Sequence, residues 1–205
     1  MSCKIIGFEN GPLELDCSDV LMMKDGEKLE TKNPAYLCRC GKSKNKPFCD
    51  GSHVEAGFLS KRDISQELLQ NYEGKEITIN FNRSICAGSG ECVHRLSSVF
   101  KSGDGNNWIF PDKDKSEKII KTIKACPSGA LSYSIKGKTD IDSRSEPKVS
   151  VVKNGPYRVE GIKLEGRPIP TNFSETKYTL CRCGYSKNKP YCDYSHAQNR
   201  WNDEA

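Results

Sequence analysis

The chain has 205 residues, 35% hydrophobic and 29% charged, with a formal net charge of +5. So little apolar material builds only a small core, and small cores commonly rely on covalent or metal staples, for which the 11 cysteines are the candidates. No stretch approaches the ~20 apolar residues of a membrane span, and dispersed lysines with 8% aromatics do not make the basic, aromatic-laced face of a nucleic-acid binder.

The N-terminal segment MSCKIIGFENGPLELD has no apolar run ending in a small-residue cleavage site, so it does not read as a secretion signal. The cysteine number is odd and two pairs are spaced Cys-x-Cys, too close for an ordinary bridge. Reduced thiolates binding metal in the cytoplasm are therefore expected ahead of a disulfide framework. Alternation at Leu13 and Leu15, followed by Asp25-Gly26, predicts short strands and tight turns. Tyr36 to His53 then reads YLCRCGKSKNKPFCDGSH, placing Cys38, Cys40, Cys49 and His53 at C-x-C-x8-C-x3-H.

The middle of the chain has its own pattern. Ile64 to Tyr72 reads as a linker helix capped by Asp63, and Ile77 to Phe81 alternates like a strand. Cys92 to Phe100 has helical spacing at Leu96 and Val99, and Trp108 to Phe110 is a short strand candidate. Lys115 to Ala125 puts Ile119, Ile120 and Ile123 on one helical face, and Pro127 and Gly129 stop that helix. Ala130 to Ile135 is a final strand before a polar linker over 136–150.

The cysteine loop then returns. Thr179 to His196, TLCRCGYSKNKPYCDYSH, repeats the spacing with Cys181, Cys183, Cys192 and His196. Asn154-Gly155-Pro156-Tyr157 precedes it by 27 residues, as Asn10-Gly11-Pro12-Leu13 precedes the first copy by 28. In this alignment Cys17 matches Gly161 and Cys3 has no counterpart, so both read as small buried hydrophobes and not as ligands. Nine cysteines remain, in three groups of three.

Three thiolates and one imidazole hold either zinc or an iron–sulfur cluster. Zinc knuckles are usually spaced C-x2–4-C. A single residue between Cys38 and Cys40 suits two thiolates on one iron, with Cys49 and His53 on a second. Asp50 is placed to cap a following helical turn, Gly51 permits close backbone approach and Pro47 stiffens the loop. The run Cys38, Cys40, Ser43, Pro47, Cys49, Asp50, Gly51, Ser52, His53 resembles the CDGSH iron–sulfur (mitoNEET-type) family. That resemblance implies a 2Fe–2S cluster on three cysteines and a histidine in each copy. It also implies an intramolecular pseudo-dimer with swapped β elements, hence a monomer rather than a homodimer. Tyr194 stands where the motif has glycine, so a different local turn is expected there.

An imidazole in place of a thiolate makes a cluster less negative and raises its potential, while the second ring nitrogen can take a proton. Electron transfer and cluster donation both follow from such a ligand. The loops are basic, with Arg39, Lys42, Lys44 and Lys46 in the first and Arg182, Lys187 and Lys189 in the second. They either dock an acidic redox partner or solvate a thiolate-rich loop.

The third group is Cys86, Cys92 and Cys126-Pro127. Its C-x2-S-x2-C…C-P spacing, with Ser89 at the middle position, resembles the divergent single-cluster ferredoxin domain over residues 76–136. The resemblance implies a 3Fe–4S cluster on three thiolates, or a 4Fe–4S cluster with a fourth ligand from Ser89, water or a nearby side chain. His94 is either that ligand or a surface residue.

The expected fold is α+β: two small β-rich CDGSH units with a ferredoxin-like module between them. The expected limits are 1–62 for the first unit, 63–75 for a linker helix, 76–137 for the module, 138–149 for a linker and 150–205 for the second unit. No nucleophile–base pair or phosphate-cradling glycine loop points to an enzyme. The expected function is one-electron transfer between protein partners; the alternatives are a cluster carrier or donor, a redox sensor, and a zinc-dependent binding module.

Overall fold

The structure, a computed structural model, describes residues 3–103, 105, 107–167 and 169–204. Strands β1 (Lys4–Gly7), β2 (Leu13–Asp16), β3 (Leu21–Lys24), β4 (Glu27–Lys28) and β5 (Ala35–Leu37) precede the first cysteine loop. The middle segment holds β6 (Leu69–Glu73), β7 (Thr78–Asn82), α1 (Glu91–Arg95), α2 (Ser116–Lys124), β8 (Leu131–Ile135) and β9 (Lys138–Asp140). The second repeat follows with β10 (Lys148–Val151), β11 (Tyr157–Glu160), β12 (Lys163–Glu165), β13 (Lys177–Leu180) and α3 (Ser195–Gln198). The protein is β-rich with few, short helices.

The alternation read in the sequence is the alternation of burial. Leu13 and Leu15 in β2, and Tyr157 and Val159 in β11, turn inward while their neighbours are half-exposed. These strands belong to two sheets that take strands from each other's repeat. One sheet runs β12-β1-β2-β5 and the other β13-β11-β10-β3-β4. β12, from the second repeat, lies parallel to β1 with Lys4 opposite Lys163. β3, from the first, lies parallel to β10 with Leu21 opposite Lys148. Parallel neighbours need a long crossover, and the chain between the repeats supplies it.

The third sheet, β6-β7-β8-β9, is antiparallel throughout. Ile119 and Ile123 of α2 are buried, and Trp108 stands edge-on to Phe81 at 5.0 Å. One continuous apolar cluster joins Leu13, Leu37, Val149 and Tyr157 of the repeats to Ile79, Phe100 and Ile119 of the middle segment. The middle segment therefore shares its core with the units on either side.

Three expectations are corrected. The linker helix over 63–75 is absent: Leu69–Glu73 forms β6, an edge strand whose backbone groups pair with β7. Apolar residues at 64, 68 and 69 mimic a helical face, but Leu68 and Leu69 are exposed, so no buried stripe holds such a helix. The polar linker over 138–149 contains β9, which extends the hairpin from β8. Cys3 and Cys17 are joined as a disulfide, with Cα atoms 4.4 Å apart. The cause is register: Lys4 opposes Asp16 across β1 and β2, so the next pair outward is Cys3 and Cys17.

Candidate metal centres

The first loop is zipped onto β5. The Cys38 N–H donates to the Pro47 carbonyl and the Cys49 N–H to that of Tyr36, both at 2.8 Å, which brings Cys49 back beside the Cys-x-Cys pair. Ser43 braces the bend, its hydroxyl donating to the Phe48 carbonyl at 2.7 Å and accepting from the Asn45 N–H at 3.0 Å. Asp50 closes it: one carboxylate oxygen accepts from the Ser52 hydroxyl and N–H at 2.6 and 3.0 Å, the other from the Lys44 N–H at 2.7 Å. Those bonds, the Ser52 hydroxyl first, hold the Asp50 carboxyl well below the usual range. The second loop repeats the frame with Ser186 on Tyr191, Asp193 on Ser195 and Lys187, and Cys181 on Pro190.

The ligand candidates come together in pairs. Cys38 and Cys40 sulfurs are 3.6 Å apart, and Cys49 Sγ is 3.4 Å from His53 Nδ1. In the second copy Cys181 and Cys183 are 3.7 Å apart, and Cys192 lies 3.4 Å from His196 Nδ1. Among the described residues, no three or more such side chains draw together as they would around a single ion. A thiol–thiol pair plus a thiol–imidazole pair is a donor set that fits a two-iron cluster, two ligands to each iron. In each Cys-x-Cys pair one thiol is lowered, Cys38 and Cys181, because its neighbour's S–H and several backbone N–H groups point at it. Cys40 and Cys183 are raised in turn, and burial raises Cys49 and Cys192. Burial also lowers His196, favouring the neutral imidazole a metal needs.

Tyr194 adopts φ +80°, in the region of Gly51 at φ +90°, so the turn is conserved and the expected departure does not occur. A non-glycine residue in that region costs about 1–3 kcal/mol.

Arg39 and Arg182 do not belong to a docking face. Both are buried, at 2% and 1% exposure. Arg39 donates to the carbonyls of Gly11 and Phe8, and Arg182 to those of Gly155 and Val152. Each guanidinium thus clamps the Asn-Gly-Pro turn of its own repeat, which explains why turn and cysteine loop recur together. Lys42, Lys44 and Lys187 remain exposed.

In the middle segment Cys86 follows a 3-10 turn, Arg83–Ile85, capped by Asn82, whose side chain accepts from the Ser84 N–H at 3.1 Å. Cys92 sits in α1 and Cys126 just beyond α2. Burial and then the neighbouring Cys126 raise Cys86; burial, Cys126 and Cys86 raise Cys92 to about 12. The three thiols therefore share one neighbourhood. Ser89 and His94 are exposed, whereas Ser128, which spacing did not single out, is buried 3.6 Å from the Cys126 sulfur.

The three sites adjoin one another. Cys40 and Cys183 face each other across an antiparallel bridge. A Cβ on Gly41 would lie 2.6 Å from the Cys183 carbonyl, and one on Gly184 2.6 Å from that of Cys40, so only glycine lets the two loops meet. Tyr157 of the second repeat puts its hydroxyl 2.9 and 2.8 Å from the Cys38 and Pro47 carbonyls of the first. On the other side, fully buried Asn188 donates to the Ser84 carbonyl at 2.8 Å and accepts from Arg62 at 2.7 Å. The order in space is first loop, second loop, middle site. None of these contacts has a signature in ligand spacing.

Two family models cover most of the chain. The iron-binding zinc finger CDGSH type matches residues 10–54 and 154–197, and the divergent 4Fe-4S mono-cluster matches residues 72–136. The chain is 40% identical over 62 residues to uncharacterized protein YjdI of Escherichia coli strain K12, a span of 80% of that protein and 30% of this chain. It is 44% identical over 54 residues to the CDGSH iron-sulfur domain-containing protein 2 homolog of Drosophila sechellia, 39% of that protein and 26% of this chain. No solved structure matches it. With both cysteine loops and the segment between them accounted for, this chain belongs to the CDGSH iron–sulfur family and carries a divergent single-cluster 4Fe–4S domain between its two CDGSH units.

Proposed function

We propose that this protein carries single electrons between protein partners through three iron–sulfur sites in series and is not an enzyme. A 2Fe–2S cluster would be held by Cys38, Cys40, Cys49 and His53, and a second by Cys181, Cys183, Cys192 and His196. A 3Fe–4S or 4Fe–4S cluster would be held by Cys86, Cys92 and Cys126. When bound, these groups supply reversible one-electron chemistry. The observation that carries the reading is adjacency: the Cys40–Cys183 bridge joins the first two ligand sets, and Asn188 with Tyr194 seats the second loop on the Cys86 loop. The exchanged strands β3 and β12 favour an internal pseudo-dimer in a monomer. Nine free thiols fit a reducing, cytoplasmic setting.

Metal analysis of anaerobically purified protein tests this directly. About seven irons per chain are expected with 3Fe–4S in the middle, or about eight with 4Fe–4S, with matching sulfide and little zinc. Cys86→Ala should remove three or four of them and leave about four. A folded, iron-free or zinc-loaded protein would overturn the reading. Donation is the second reading, favoured by the openness of the first loop: Val54 is 74% exposed, and a side chain at Gly51 would meet nothing within 4 Å. Iron passing to an apo-ferredoxin without loss of the middle signal would support it.

The partner docks, on this proposal, at a basic cleft of about 500 Å³ whose wall includes Cys126 and Pro127. Lys148 and Arg158 stand on one face of adjacent strands, since Ser150 opposes Arg158. With Lys124 they line the cleft, and none of the three forms an ion pair among the described residues. Charge of this kind steers encounter with an acidic surface. Reduction by an acidic ferredoxin should slow about tenfold or more in Lys148→Glu/Arg158→Glu and lose most of its salt dependence. An unchanged rate would place docking elsewhere.

A further inference from the structure

We propose that Tyr194 is the positioning residue that couples the second CDGSH site to the middle site, an inference that rests on both sites holding clusters. The tyrosine replaces the motif glycine yet keeps the glycine conformation, at φ +80°. A side chain held in that region implies that the ring serves something glycine cannot.

Its surroundings show what that is. The ring lies on Gly88, two residues after Cys86: a Cβ added to Gly88 would fall 2.0 Å from Tyr194 Cδ2 and 2.3 Å from Cε2. Gly88 itself has φ +68°, so both its conformation and its lack of a side chain admit the ring. The same ring meets the ligand candidate His196 edge-on, with centroids 5.7 Å apart and planes at 83°. Tyr194 therefore spans from the imidazole of one site to the backbone of the other cysteine loop. The first repeat supplies the control. At Gly51 an added Cβ would meet nothing within 4 Å. The aromatic occurs in the repeat whose turn lies against the Cys86 loop.

The half-buried ring puts polarisable atoms in contact with the Cys86 loop, and with both clusters bound these atoms would shorten the through-space gap an electron has to cross. Tyr194→Gly restores the motif and relieves the backbone, so the variant should fold. Its full iron complement is checked first. After pulsed one-electron reduction, electron equilibration between the second and middle sites should be at least tenfold slower in Tyr194→Gly and near the wild-type rate in Tyr194→Phe. Gly51→Tyr, in the first repeat, should strain that turn but leave the equilibration rate between the second and middle sites unchanged. Equal rates in wild type and Tyr194→Gly would overturn the assignment and leave the relay intact. No equilibration in fully loaded wild type would overturn the relay, and the assignment with it. A purely structural role would slow Tyr194→Gly only in proportion to lost iron, which the loading check reads separately.

Discussion

Tyr157→Ala is expected to empty the first repeat's site although Tyr157 lies in the second repeat. The side chain is fully buried, and its hydroxyl reaches the carbonyls of Cys38 and Pro47, the residues that bracket the first loop. Burial raises its pKa well above the ordinary value, so it stays a neutral donor. Removing a buried aromatic costs about 3–5 kcal/mol, a large share of the 5–15 kcal/mol that holds a typical domain together. Tyr157→Phe isolates the polar part: the ring stays, the Pro47 carbonyl keeps the Cys38 N–H, and the hydroxyl shared by the two carbonyls is lost at a cost of about 1–3 kcal/mol. Leu13 holds the matching place in the first repeat and has no hydroxyl, so the second loop has no such dependence across the repeats. Urea unfolding gives the energies, and iron analysis with spectra of the two histidine-ligated sites gives the location. Loss confined to the second site would refute the cross-repeat role.

Arg182→Ala is expected to be the more damaging of the two equivalent arginine replacements. Arg182 pairs with Asp203, donates to two carbonyls and lies 4.8 Å above the Trp201 ring. Truncating one member of a buried pair typically costs about 3–5 kcal/mol, because the other charge is left uncompensated. Arg39 clamps its turn through carbonyls and the Phe58 ring at 5.3 Å, and among the described residues no carboxylate pairs with it, so Arg39→Ala should cost less. The second change Asp203→Asn should recover part of the loss in Arg182→Ala. Burial alone would raise the Asp203 carboxyl, but the hydrogen bond and charge of Arg182 outweigh it and the net shift is downward. A depressed folded pKa means that the pair stabilises above the unfolded carboxyl value, about 3.9, and that this contribution disappears as pH falls through the folded value. The gap between wild type and Arg182→Ala in urea midpoints should therefore narrow in acid. A gap independent of pH would exclude the ion pair as its source.

Much of the site was legible because ligand chemistry is local. The spacing of Cys38, Cys40, Cys49 and His53, and its copy at Cys181, brings the donors together through hydrogen bonds that span at most 13 residues, such as Cys49 to Tyr36. Burial alternation in β2 and β11 was legible for the same reason, since a strand has a period of two wherever it pairs. The expected 63–75 helix does not form because apolar residues in an edge strand can imitate helical spacing, and only the partner β7 shows which backbone bonds are made. The Cys3–Cys17 disulfide depends on strand register.

By itself the sequence determined two thiol–imidazole loops, a third cysteine group and the β-rich character around them, because each is written in short-range spacing. Tertiary structure alone decided which repeat lends strands to which sheet, that the C-x-C arginines turn inward, and that the second loop stands between the other two sites. Those outcomes rest on contacts between residues more than a hundred positions apart, Tyr157 with Cys38 and Asn188 with Ser84 among them. No local pattern encodes such pairs, since they form only when the apolar faces of distant strands are buried against one another.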